Sequence, residues 1–297
     1  MIDFYIVDVF AENKYEGNQL AVFCNAEHLS SEQMLQITRE INFQESTFVV
    51  SDKQQNGGFD VRIFTPEYEV PFAGHPTLGT AHVIKSHLQG SDNEKVVLNL
   101  QIGQVPVEQQ GETLWLEVSN PTFGRTFTPD EVGYLFDLAP DMLDGDLPIE
   151  IVSTGLPYLI VPMKNIEAVE SIHFENEEVL NWLKKNRLHK DNSEDGLTVA
   201  FFAFTKETTH PENNFHARMF CYENGQIRED AATGSANSCL MAYLLKNTDI
   251  KTGSVEQGYE MLRPSLIKIR GEIDESETYK LQVGGKVKFV AKGQWEV

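Results

Sequence analysis

Two short stretches hold residues whose types and spacing could do chemistry. In "VPFAGHPTLGTAHVI" (Val70 to Ile84) an apolar run ends at Gly74-His75-Pro76 and passes straight into an apolar helix. In "EDAATGSANSCLMAYLL" (Glu229 to Leu245) Thr233-Gly234-Ser235 stands before a second apolar helix. A helix leaves its first N–H groups without intrahelical partners and carries a partial positive charge there, so a start at a bare glycine turn can hold an anion. Gly74 lets the backbone approach a ligand closely, and Pro76 suits the first helical turn. Gly234 does the same in the second elbow, with Thr233 and Ser235 offering hydroxyls. Two such starts could grip a carboxylate without arginine. Equally, Gly74, Thr233 and Ser235 could be plain helix caps.

Acid–base groups lie beside both elbows. His75 is in the first, and Asp230 precedes Ser235 by five residues in the second. Glu45 opens a strand directly after a helix, where a carboxylate can point into a cleft. Singly, each has an ordinary reading: a packing histidine, a capping aspartate, a solvated glutamate. Together they form a plausible proton-transfer set.

The elements that must position these groups follow from pattern. A helix runs from Ser31 to Ile41, with Ser31 read as its cap and Met34, Leu35, Ile37 and Ile41 on one face. "ESTFVV", "FDVRIFT", "KVVLNL" and "LWLEV" read as strands. The helix from about His75 to His87 is apolar on nearly every side, so strands must enclose it. A second pass begins near residue 120. "IVSTGLPYLIVP" (Ile151 to Pro162) is laid out like "FAENKYEGNQLAVFC" (Phe10 to Cys24), a glycine turn before an apolar strand. Val61-Arg62-Ile63-Phe64 then matches Ala217-Arg218-Met219-Phe220, each followed by an elbow and a buried helix. The spacing from arginine to elbow glycine is 12 residues in the first half and 16 in the second. This degenerate internal repeat predicts two similar domains facing each other, residues 1–120 and 121–297, with the last strand near 285–297 a candidate to return to the first.

Composition excludes several functions. The 297 residues carry 45 acidic and 24 basic side chains, a net charge of −21, which repels a phosphate backbone and argues against nucleic-acid binding. No apolar run reaches the roughly 18 to 20 residues of a membrane span, and Asp3 and Asp8 stand where a signal peptide wants basic residues. A cytoplasmic location is expected. Cys24, Cys221 and Cys239 form no disulfide framework and read as small buried hydrophobes. No dinucleotide fingerprint, phosphate-binding loop or zinc motif occurs, and His82 and His87 are five apart, on different helix faces; neither cofactor nor metal is indicated.

"GNQLAVF", "FQESTFV", "IFTPEYEVPFAGHPTLGTAHVI", "EDAATGSANSCLMAYLL" and "VGGKVKFVAKGQWEV", in this order, resemble the PhzF-like family of phenazine-biosynthesis isomerases. The resemblance spans Asp3 to the last strand. It implies an α+β, diaminopimelate epimerase-like fold: two pseudo-repeated domains, each an antiparallel sheet or barrel wrapped around a central helix, with the site in the cleft between them. It also implies that Glu45 is the catalytic acid/base, His75 and Asp230 assist, Ser235 is the site serine, and Gly74, Thr233 and Gly234 line the substrate-binding helix starts. The implied reaction moves a proton between carbons of a cyclic, carboxylate-bearing diene without a cofactor, and a homodimer is implied as well. Related racemases and epimerases use two thiols, one per elbow; the equivalent positions here are Ala73 and Thr233, so a single base at Glu45 favours isomerisation over inversion. A racemase of a small amino or hydroxy acid and a non-catalytic binding protein are the alternatives.

Overall fold

The computed structural model describes residues 1–89 and 94–297, which fall into two compact units: Met1–Glu117 with Gly284–Val297, and Val118–Val283. The first unit holds strands β1 (Ile2–Val9), β2 (Asn18–Cys24), β3 (Ser46–Val49), β4 (Phe59–Phe64), β5 (Glu69–Val70), β6 (Lys95–Leu100), β7 (Gly103–Gln110) and β8 (Thr113–Val118). The second holds β9 (Thr122–Phe127), β10 (Ile149–Ser153), β11 (Pro157–Pro162), β12 (Ala200–Thr205), β13 (Phe215–Glu223), β14 (Gln226–Asp230), β15 (Thr252–Gln257) and β16 (Ser265–Ile273). Strand β17 (Tyr279–Gly285) leads into β18 (Val287–Trp295), which pairs antiparallel with β1.

Helix α1 (Ser31–Ile41) buries Met34, Ile37 and Thr38 against this unit's sheet. Its cap is Ser30, one residue earlier than the sequence suggested. Ser30 is extended and its hydroxyl accepts from the Gln33 N–H, while the Gln33 side chain returns to the Ser30 N–H. Ser31 is already helical, and its hydroxyl instead accepts from Arg62 at 2.8 Å. Helix α2 (Gly74–Val83) is buried along His75–Ala81 and at Val83, and it packs on β1, β2, β3, β6, β7 and β18, as an all-apolar helix must. It ends at Val83, short of the expected His87, and continues as a π-helical turn over Ile84–Gln89.

In the second unit α3 (Pro129–Gly133), α4 (Ile166–Glu170) and α5 (Asn176–Lys185) precede the central α6 (Gly234–Asn247), which packs on β10, β11 and β16. Most pairings are antiparallel, but among the described residues each unit has parallel ones: β2–β3 and β4–β6 in the first, β11–β12 and β13–β15 in the second. A parallel pair needs a long crossover, and the helical connections supply it in all four cases.

The units repeat side chain for side chain at the β4–β5 and β13–β14 hairpins. Arg62 is held by Glu69 and lies 5.1 Å from the Phe64 ring; Arg218 is held by Glu229 and lies 4.7 Å from Phe220. Ile63 pairs with Val70 and Met219 with Asp230. From Glu69 and Glu229 onward the halves align without a gap, which makes Val70 the counterpart of Asp230, Ala73 of Thr233, Gly74 of Gly234 and His75 of Ser235.

Candidate active site

The first unit carries Glu45 and His75. Asn42 closes α1 in the left-handed conformation, and the chain then enters β3, whose four residues are all buried. Glu45 is the residue before that strand, with 19% of its side chain exposed. Its Oε2 lies 3.5 Å from Nε2 of His75, the second residue of α2, whose side chain is 7% exposed. Burial pushes the His75 imidazole down to about 3, opposed only by a hydrogen bond to the Gln19 backbone, so the ring is neutral at physiological pH. Ala73 precedes α2 in an extended conformation, and no side chain caps the helix start. Gly74 is its first residue.

The second unit carries Asp230, Thr233, Gly234 and Ser235. Asp230 ends β14, and the Thr233 hydroxyl donates to its Oδ2 at 2.5 Å. Thr233 therefore makes no side-chain cap for α6, whose start at Gly234 is as bare as that of α2. Ser235 shares a 2.7 Å hydrogen bond with the Tyr158 hydroxyl on β11, a buried phenol that burial holds well above its ordinary value.

Two residues of this arrangement went unread in the sequence. The Gln257 amide, at the end of β15, donates to the Asp230 carbonyl at 2.9 Å and to the Thr233 hydroxyl at 3.1 Å. Its carbonyl accepts from the Thr233 N–H at 3.3 Å and from Asn237 at 3.0 Å, and Asn237 also donates to the Thr233 carbonyl. Because Gln257 donates to the Thr233 oxygen, that hydroxyl must spend its own hydrogen on Asp230. A polar pair, Glu256-Gln257, closing a strand was the available signal, but its partners lie twenty or more residues away along the chain.

The model of the family described as phenazine biosynthesis-like protein matches residues 7–293. The chain belongs to that family. Among its relatives is trans-2,3-dihydro-3-hydroxyanthranilate isomerase of Pseudomonas fluorescens, 33% identical over 292 residues and covering 96% of each chain. As a member of the phenazine biosynthesis-like family, the chain is an isomerase. A Bacillus anthracis phenazine biosynthesis protein of the PhzF family superposes with a TM-score of 0.85 at 25% identity, covering 100% of this chain and 99% of the other. A probable proline racemase from Agrobacterium radiobacter shares the fold at 9% identity, with a TM-score of 0.61 over 100% and 93% of the two chains. The phenazine biosynthesis-like chain thus has the epimerase-like α+β fold. No helix of its described residues is long and apolar enough to cross a membrane.

Proposed function

We propose that the protein is a cofactor-independent isomerase that moves a proton between carbons of a small, cyclic, carboxylate-bearing substrate, with Glu45 as the general acid/base. One observation carries the reading: a carboxylate facing a buried, neutral histidine across 3.5 Å. His75 Nε2 makes no hydrogen bond, so the bond to the Gln19 backbone belongs to Nδ1 and fixes the tautomer with a bare Nε2 lone pair. A proton that Glu45 takes from a substrate carbon can stay on its carboxyl, donated as a hydrogen bond to the bare Nε2, until it is returned to another carbon.

The negative charge left on the substrate spreads into its conjugated carboxylate. The uncapped N–H groups at Gly74 in the first unit and at Gly234 in the second each suit a carboxylate, and Ser235 and Asp230 stand beside the latter. The reading's closest guide to chemistry is the relatives' substrate, trans-2,3-dihydro-3-hydroxyanthranilate, a ring acid of this class.

The test is incubation with that compound and a panel of small cyclic acids in deuterium oxide, following exchange at carbon by mass spectrometry. Glu45→Gln should lower turnover by about 10²- to 10⁴-fold and leave thermal unfolding unchanged. Wild-type exchange by that variant would remove Glu45 from the role.

A further inference from the structure

The far end of α2 opens on a cavity of about 340 Å³, lined in part by His82, Lys85, Ser86, Gln109, Lys286 and Lys288. His82 is seven residues beyond His75, about 10 Å along the helix, so this cavity is separate from the Glu45–His75 pair. Lys85 and Ser86 stand on the π-helical turn that follows α2, a distortion that widens the backbone and is common at binding sites.

Charge makes this place unusual in a chain with a net charge of −21. Of its three lysines, Lys286 is paired, at 2.7 Å with Glu12 and 3.0 Å with Glu112. Lys85 and Lys288 are half-buried and have no carboxylate partner among the described residues. Both act on His82, which burial and these neighbouring cations hold down at about 4, so the imidazole is neutral and adds no charge. Two ammoniums that line one cavity without a carboxylate partner among the described residues suit an anion that is not part of the protein.

We propose that this cavity binds phosphate, free or as the monoester of a small metabolite. Lysines without arginine suit a tetrahedral oxyanion approached by point charges, whereas planar carboxylates favour the arginine fork. Gln109 and Ser86 supply further hydrogen bonds, and Leu114 and Val287 an apolar wall. The volume exceeds what phosphate alone fills and is within the range of small-metabolite sites.

The experiment is calorimetric titration of the intact protein at constant ionic strength with inorganic phosphate, glucose 6-phosphate and succinate, alongside NMR of the His82 ring. Saturable phosphate binding that shifts His82 and raises its titration midpoint is expected. Lys85→Met with Lys288→Met should weaken it at least about tenfold, while thermal unfolding stays unchanged. Lys164→Met, on the second unit, should change nothing. Tighter binding of the ester identifies an organic phosphate as ligand, and equal or weaker binding identifies free phosphate. No saturation by about 10 mM, succinate binding as tightly as phosphate, or affinity unchanged in the double variant would each overturn the proposal.

Discussion

Replacing His216 should remove most of the protein's loss of stability in mild alkali. His216 on β13 is the registered partner of Glu256 on β15. Its Nδ1 lies 3.1 Å from Glu256 and its Nε2 2.8 Å from Glu260, with the imidazole 1% and Glu256 0% exposed. Glu256 also accepts from the Thr209 and His210 N–H groups and from Asn213, so this cluster pins the 206–213 loop to the sheet. Burial opposes the charged ring, but hydrogen bonds to the two carboxylates win and raise His216 from 6.5 to about 9. A rise of that size is on the order of 3 kcal/mol, which matches the usual cost of breaking a buried pair. Glu256 is held down at about 2 by His216 together with Asn213 and the Thr209 and His210 N–H groups, and the part due to His216 is counted once. Because the folded value lies above the unfolded one, the contribution is complete below about pH 6.5 and fades as pH rises through about 9. Urea denaturation at pH 6.5 and pH 9 should show the wild type losing most of this difference, whereas His216→Gln starts lower and falls only by the smaller part due to the thiols of Cys24, Cys221 and Cys239, which burial pushes up to about 12. Parallel losses in both proteins would refute the reasoning, since the other titrating groups are common to both.

Two further perturbations follow from packing and hydrogen bonding. Gln257→Leu strands the Thr233 N–H and the Asp230 carbonyl, and should cost about 1–3 kcal/mol in chemical denaturation as well as slowing carbon exchange; unchanged stability would mean the strap is not needed. Gly79→Val places a Cβ 2.6 Å from Leu20 and 2.9 Å from Val9, so overpacking between α2 and the β1–β2 pair should lower stability by about 1–3 kcal/mol, read as a drop in melting temperature.

Much of the fold was legible because glycine, proline and apolar runs report locally. Gly74-His75-Pro76 and Thr233-Gly234-Ser235 announce two helix starts, and the Arg-x-Phe strands before them are held in the same way in both units. Legibility fails where a choice depends on distant partners. Ser30 and Ser31 are chemically equal as caps, and what separates them is that Arg62 engages Ser31. Gln257, Asn237 and the His216–Glu256–Glu260 cluster are ordinary polar residues in the sequence; each acquires meaning only when β13 and β15 pair in parallel across α6. The π-helical turn after Val83 has no breaker residue to signal it.

The repeat also bears on the proposed single base. Scaffolding positions are duplicated: arginine to glutamate, arginine over phenylalanine, glycine opening the helix. The polar groups are not. Phe48 faces Arg62 as Ala203 faces Arg218, which puts Ala200 at the position equivalent to Glu45. Asp230 answers Val70, Ser235 answers His75, and Thr233, committed by its hydrogen bond to Asp230, answers Ala73. An inverting enzyme needs a proton carrier on each face of its substrate, and a symmetric scaffold would most simply supply the same carrier twice. Here one half holds a carboxylate beside a bare imidazole nitrogen, while the other holds hydroxyls and a carboxylate already bound to one of them. Under the proposed isomerisation Glu45 is then the single proton carrier, and proton return to the face of origin is the stereochemical signature to seek.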